Sequence, residues 1–195
     1  RAGEALGVEL SIRDLFEAPT VRGLVAASAD RAAALPPVTA VVPRPSEIPL
    51  SFAQQRMWLV NQADPASGAY NIPMGLRITG PLDLDALHAA MVDVVLRHEV
   101  LRTTFPSVEG QPRQRIARDS SVAARMDWDV VESFEEIQDA LTSGFNLTRQ
   151  APVRIRVFAA GPDEHIVVVV VHHIAFDGES MAPFVTDLVT AYLAE

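Results

Sequence analysis

A mixed α/β fold, with helices packed on a mixed sheet, follows from three features of this sequence. Residues 166–171 form an unbroken β-branched run, IVVVVV, of strand length and of the composition that suits a buried strand. Residues 74–78 alternate apolar and small or polar positions and stop at Gly80-Pro81, as a half-buried strand does. Asp83 precedes Leu84, Leu87, Met91, Val94 and Val95, whose three-to-four spacing marks one face of a capped amphipathic helix. Strands and helices interleaved in this way pack as layers on one sheet.

The remaining elements follow in order. Leu6, Val8 and Leu10 precede Ser11, which is placed to cap a helix over 12–17, and Pro19-Thr20 opens another through Val21, Leu24 and Val25. Helices this short bury no core of their own. Residues 32–48 hold four prolines without any period and read as a semi-rigid linker. From Pro49 the texture changes. Ser51 caps a helix through Ala53, Arg56, Met57 and Leu59, and residues 103–105 and 114–116 form a hairpin around Glu109-Gly110. Residues 134–141 are a short helix, 153–158 a strand that turns at Gly161-Pro162-Asp163 into 166–171, and 181–193 a last helix. The expected units are 1–31, a linker over 32–48, and a larger domain over 49–195.

Composition narrows the function classes. Sixteen basic residues against twenty-five acidic ones leave a formal charge of −9, which argues against a nucleic-acid partner. With no cysteine, disulfides, thiolate nucleophiles and cysteine zinc sites are excluded, and a cytoplasmic protein is expected. No apolar run has the length of a membrane helix, so no membrane partner is expected. The chain opens on Arg1 inside an amphipathic stretch and reads as cut from something longer.

The segment HHIAFDG, His172 to Gly178, follows the valine run directly. A rigid strand therefore delivers two imidazoles to a loop, and histidine is the side chain best suited to moving a proton near neutral pH. Adjacent strand residues point to opposite faces, so His172 and His173 do not serve one site from regular strand. One of them faces inward as a structural residue. The same alternation counts against a metal held by His172, His173 and Asp177, and no metal is expected. Two inert, hydrogen-bonded histidines at a strand end are the plain alternative for this motif taken alone.

Two further segments change the weighing. SFAQQRMW, Ser51 to Trp58, opens the larger domain, and RHEVLRTTF, Arg97 to Phe105, closes the long helix. With HHIAFDG, these segments in this order resemble the first three core motifs of nonribosomal peptide synthetase condensation domains. AYNIP from Ala69, GPLD from Gly80, and GFNL from Gly144 with Pro152 and Arg154 following agree with the resemblance, which runs from Pro49 to Glu195. ALGVELSIRDLFEAPTVRGLVA, residues 5–26, is similar to the C-terminal part of a peptidyl carrier domain, without its phosphopantetheine serine.

The resemblance implies a lobe similar to chloramphenicol acetyltransferase and a peptide-forming acyltransferase. The amine of a downstream carrier-bound aminoacyl thioester attacks the carbonyl of an upstream one. His173 maps to the family's second histidine, as general base or as orienter of the amine. Asp177 maps to the structural aspartate, expected to pin the loop through an arginine, Arg97 or Arg102, and Gly178 is expected to permit a tight turn and close approach of backbone to substrate. His172 is expected inward, and Trp58 and Trp128 in the core; His98 and Glu99 are assigned no chemistry. No cofactor is expected on the chain itself, since 4′-phosphopantetheine arms of upstream and downstream carrier domains bring the substrates. A C-terminal lobe and an adenylation domain are the other implied partners, and with only the first lobe present the chain is expected not to catalyse alone. The spellings SFAQQRMW and AYNIP favour the subtype that takes L-configured donors. An epimerisation domain or a non-catalytic carrier-docking module are the alternatives, while a heterocyclisation domain is disfavoured because its motif replaces the histidines. Glu179 departs from the bulky aromatic that relatives often carry there.

Overall fold

In the computed structural model, the described residues are 8, 10–28, 39–117 and 121–195. Leu6 and residues 32–38 of the expected linker lie outside them. The chain divides into two compact units, Arg1–Pro45 and Ser46–Glu195.

The first unit contains the two short helices expected from the sequence. Ser11 accepts the N–H of Asp14 and Asp14 reaches back to the Ser11 N–H, a reciprocal cap that starts α1, Ile12–Glu17. Val21–Ser28 forms α2. Ile12, Phe16 and Val21 stay largely exposed.

The second unit is built on a four-stranded mixed sheet. Its elements run β1 (Ile48–Pro49), α3 (Phe52–Ala63), β2 (Asn71–Thr79), α4 (Leu84–Arg97), a 3-10 turn (Glu99–Arg102), β3 (Thr103–Thr104), β4 (Ser107–Val108), β5 (Gln111–Ile116), α5 (Ser121–Arg125), β6 (Asp127–Val131), α6 (Phe134–Thr142), β7 (Val153–Gly161), β8 (Glu164–His172), a second 3-10 turn (Gly178–Ser180) and α7 (Met181–Tyr192). The main sheet has the order β2-β8-β7-β6, antiparallel except for the parallel β6–β7 pair. β2 is an edge strand, which is where Pro73, lacking an N–H, is tolerated. A small sheet gathers β1, β3 and β4 on β5.

Both faces of β8 are covered, which is why its sequence is continuously apolar rather than alternating. Val167, Val169 and Val171 pack with Val153, Ile155 and Val157 of β7 against Leu87, Met91 and Val94 of α4 and Phe184 and Leu188 of α7. Val168 and Val170 face a second core with Ile137 of α6, Phe105, Phe145 and Leu147. The helices cap as expected: Ser51 and Gln54 form a reciprocal box on α3, and Asp83 accepts the N–H groups of Asp85 and Ala86 on α4. Trp58 and Trp128 pack against the two cores.

Two elements differ from expectation. The hairpin turns at Glu109 and Gly110, both left-handed (φ 51° and 79°), but its first strand is broken at Phe105. Phe105 is buried and gives its N–H to the Leu147 carbonyl (2.7 Å) instead of to β5. The strand β6 was not legible because Asp127 and Asp129 interrupt its apolar pattern. Asp127 lies opposite Arg154 of β7, and the cross-strand charge pair accounts for a carboxylate in a sheet. Among the described residues no helix is long and apolar enough to cross a membrane.

Gly144 and Gly68 lie at a close backbone crossing, where Ser67 bridges Ser143. A Cβ on Gly144 would collide with the Pro65 carbonyl and the backbone of Ala66. Gly144→Ala is expected to destabilise by roughly 1–3 kcal/mol, the usual cost of overpacking against unyielding backbone. Thermal melting checks this, and a wild-type melting temperature would show that the crossing yields freely.

Candidate active site

The register of β2 against β8 sets Asn71 opposite His172 at the end of the sheet. His172 continues the face of Val168 and Val170 and is 1% exposed. Its ring meets the rings of Tyr70 and Phe145, each with centroids 6.1 Å away. Its Nδ1 accepts the Ile174 N–H (3.1 Å), so the ring proton sits on Nε2. Burial, with the adjacent His173 adding to it, pushes its pKa down from the ordinary 6.5 to about 4. His172 is thus a neutral structural residue.

His173 stands one residue beyond the strand, half-buried. Its backbone N–H donates to the Tyr70 carbonyl (2.8 Å). Its Nδ1 lies 2.7 Å from the Phe176 carbonyl. A carbonyl oxygen only accepts, so this bond places the proton on Nδ1 and leaves the Nε2 lone pair available. The loop is held on both cores, by Ile174 on one side and Phe176 on the other. Phe176 meets Phe184 of α7 edge to face at 5.8 Å.

The expected arginine pin on Asp177 is not formed. Asp177 is exposed, and its carboxylate accepts the N–H (3.0 Å) and hydroxyl (2.6 Å) of Ser180, closing a cap on the second 3-10 turn. Those hydrogen bonds from Ser180 hold its pKa below the ordinary carboxylate value. Arg97 pairs instead with Asp187 of α7 (3.1 Å), which also meets His98 Nε2 at 2.7 Å. Arg102 donates to the carbonyls of Leu96 and Ala117 and lies 3.7 Å from Glu99. Both arginines are taken by other acceptors, Arg97 by a carboxylate on α7 and Arg102 by backbone carbonyls. Gly178 is not required for the turn either. Its φ is not left-handed, and a Cβ there would meet nothing within 4 Å.

Arg154 is the residue whose role was missed. The resemblance includes it without giving it a role. Its side chain, 8% exposed, pairs with Asp127 (3.0 Å) and donates to the carbonyls of Ala140, Ser143 and Gly144. Its guanidinium carbon sits 4.5 Å over the Phe145 ring. It braces the ring that packs on His172. The strand alternates Arg154 and Arg156 with apolar residues, so no local signal set Arg154 apart. Asn71 adds a second brace, donating to the carbonyls of Leu141 and Ser143 (2.9 Å each). The Pro152 carbonyl accepts the His172 N–H (2.9 Å). The segments from Ala69, from Gly144 and around Pro152 therefore converge on one histidine pair. From α3, Trp58 donates to the Phe105 carbonyl (2.8 Å) and Asn61 to that of Phe145 (3.0 Å). Among the described residues no cluster of three metal-ligating side chains forms.

A loop imidazole with one free lone pair thus stands at the end of a mixed sheet covered on both faces. The family model described as Condensation domain matches residues 45–195, and the chain belongs to that family. It is 40% identical over 197 residues to the dimodular nonribosomal peptide synthase of Bacillus subtilis, covering 100% of this chain and 8% of that protein. It is 40% identical over 200 residues to the isonitrile lipopeptide synthase of Mycobacterium tuberculosis, covering 96% of this chain and 8% of that one. The chain thus spans a small part of the length of these relatives. Among solved structures it is similar to the X-domain from teicoplanin biosynthesis, in complex with OxyB, with TM-score 0.72 and 35% identity over 83% of this chain and 35% of that one. The first condensation domain of the calcium-dependent antibiotic synthetase, in complex with a substrate analogue, gives 0.63 and 27% over 74% of this chain and 36% of that chain.

Two tests follow from this geometry. Between the unfolded histidine's pKa of 6.5 and the folded value of about 4, the unfolded chain binds a proton that the native chain refuses. Stability is therefore expected to fall as pH drops through this window, by about 3 kcal/mol at its lower end. Denaturation at stepped pH checks this: His172→Asn, which keeps an acceptor for Ile174, should flatten the profile, and an unchanged slope would refute the assignment. The second test compares the arginines with Asp177. Arg102→Ala should lower the melting temperature more than Arg97→Ala, whose pair is largely solvated and is worth only about 0–1 kcal/mol. A double-mutant cycle of Asp177 with either arginine should be additive, because neither pair touches. Strong coupling would restore the pin.

Proposed function

We propose that this chain forms peptide bonds as part of a nonribosomal peptide synthetase. It would join an upstream carrier-bound aminoacyl or peptidyl thioester, L-configured, to the amine of a downstream carrier-bound aminoacyl thioester. The observation that carries this reading is the hydrogen bond from His173 Nδ1 to the Phe176 carbonyl, which leaves Nε2 free to take a proton. The amine nitrogen attacks the thioester carbonyl carbon and its proton passes to Nε2; the carbon–sulfur bond then breaks, and the leaving sulfur takes that proton to depart as the upstream thiol. Proton uptake of this kind contributes typically about 10²–10⁴ in rate. Positioning of the amine supplies the rest. The open space above Gly178 supports a backbone that faces substrate. Asp177 acts through its cap with Ser180, which keeps the loop closed behind His173.

On the same reading, residues 1–31 are the C-terminal part of a carrier domain and 32–48 a linker to residues 49–195. The exposed apolar side chains of α1 and α2 support this, since such helices belong to a larger helical unit. Carrier domains with 4′-phosphopantetheine arms, a second lobe and an adenylation domain are the partners it entails. A second reading, recruitment of a partner without catalysis, draws on the likeness to the X-domain structure solved with OxyB. The available Nε2 of His173 favours catalysis.

In a synthetase carrying this chain, His173→Ala should lower dipeptidyl-thioester formation by about 10²-fold or more while the fold is kept. Mass spectrometry of the carrier-bound product measures this. Product equal to wild type would remove the catalytic role and favour recruitment. Exchange of an α-proton in heavy water without peptide would point to epimerisation.

A further inference from the structure

Helix α7 leads out of the histidine loop, and polar contacts tie it to α4 near both of its ends. Tyr192 Oη, at the close of α7, accepts the N–H of Asp83 at the start of α4 (3.2 Å). Towards the other end, Asp187 meets the close of α4. One carboxylate oxygen, Oδ2, accepts from His98 Nε2 (2.7 Å) and from Arg97 Nε (3.1 Å). The two helices therefore run antiparallel, with Met91, Val94, Phe184 and Leu188 buried in the core between these contacts. Apolar packing is non-directional, so the polar contacts are what set the position of α7 along α4.

Within the Asp187 cluster the histidine is the stronger partner. The Arg97 side chain is 70% exposed, against 34% for His98 and 21% for Asp187, so water screens the arginine pair more. The backbone of His98 is also fixed. Its N–H donates to the Val94 carbonyl (3.0 Å), and its own carbonyl accepts the Leu101 N–H (2.9 Å) as the 3-10 turn begins. His98 is thus a rigid post on which Asp187 seats α7.

The seat lies close to the chemistry. Asp187 is three residues after Phe184, on the neighbouring turn of the same helix face. Phe184 is buried and meets Phe176 edge to face, and the Phe176 carbonyl is the acceptor for His173 Nδ1. A continuous set of contacts therefore runs from His98 through Asp187, Phe184 and Phe176 to the ring of His173, independently of β8.

We propose that Asp187 is a positioning residue. By seating α7 on His98 it places Phe176 and so holds the His173 ring in the tautomer that leaves Nε2 free. The proposal rests on the condensation reading for the use made of that nitrogen, and it assigns a task to His98, which the sequence left without one.

The test is nitrogen NMR of the isotope-labelled imidazole rings in this chain, well below its melting transition, with the His173 signals assigned by their loss in His173→Ala. Wild-type His173 should show the Nδ1–H tautomer alone. Asp187→Ala should populate the Nε2–H tautomer as well, and so should His98→Ala, which leaves the Arg97 pair in place. Asp187→Asn keeps an oxygen for the His98 N–H and should restore the wild-type signature. The double alanine variant should lose no more than either single one, because both remove the same contact. In a synthetase carrying the chain, Asp187→Ala should lower kcat about tenfold or more with little change in KM for the loaded carriers, as misplacement of a reacting group does. A wild-type His173 signature in both alanine variants, or additive losses in the double variant, would overturn the proposal. If Asp187→Ala does not fold, His98→Ala decides the matter alone. The ring signature needs no substrate, so the two readings fail separately: a displaced tautomer with peptide formed at the wild-type rate would uphold the positioning and remove His173 from the condensation chemistry.

Discussion

β8 is packed on both faces, so its valines cannot slip by one residue without moving each half of the set into the opposite core. That constraint extends past the valines. His172 occupies the next position on the face of Val168 and Val170, and its burial follows from the same register. A buried imidazole is stable only uncharged, and the Ile174 N–H satisfies its acceptor nitrogen. His173 then begins the turn with its backbone fixed by Tyr70 and its ring fixed by Phe176. Burial keeps His172 neutral, and the Phe176 carbonyl holds His173 in a single tautomer.

The buried Arg154 is the second element on which this depends. A guanidinium inside a core is costly unless its donors are met, and here a carboxylate and three backbone carbonyls meet them. Those carbonyls belong to the end of α6 and the segment that follows. The charge is therefore spent on fixing the path of residues 140–144 and, through it, the Phe145 ring against His172. The glycine crossing at Gly144 serves the same path from the other side, because only a residue without Cβ lets the backbone near Pro65 approach so closely.

Charge is organised locally and not by the total. Asp127 on β6 is shared by Arg154 and Arg156 of β7 across the sheet, while Arg115 of β5, Arg125 of α5 and Arg149 of the loop before β7 have no ion pair among the described residues and line, with Arg102, a groove of about 690 Å³. The 3-10 turn Glu99–Arg102 separates that basic groove from an apolar cavity of about 340 Å³ formed by Leu101, Phe176, Phe184 and their neighbours. The histidine loop contributes Ala175 and Phe176 to the apolar side, so the two grooves differ in chemistry while sharing one end of the sheet.

The sequence alone determined the elements whose period and caps are local: the valine strand, the helix after Asp83, the helix after Ser51 and the turn at Glu109-Gly110. It also identified the histidine loop, because a motif on a strongly patterned strand has its setting written beside it. Strand β6 escaped because Asp127 is compensated by an arginine 27 residues away in sequence, Arg154. The partner of Asp177 escaped for a related reason. The arginine pin was what the resemblance implied, yet the choice between Ser180 three residues on and an arginine far back in the chain is a matter of distance in space. Which nitrogen holds the proton and where Arg154 sends its donors were decided only by the tertiary structure. Each depends on backbone groups brought in from other strands, and no local pattern records them.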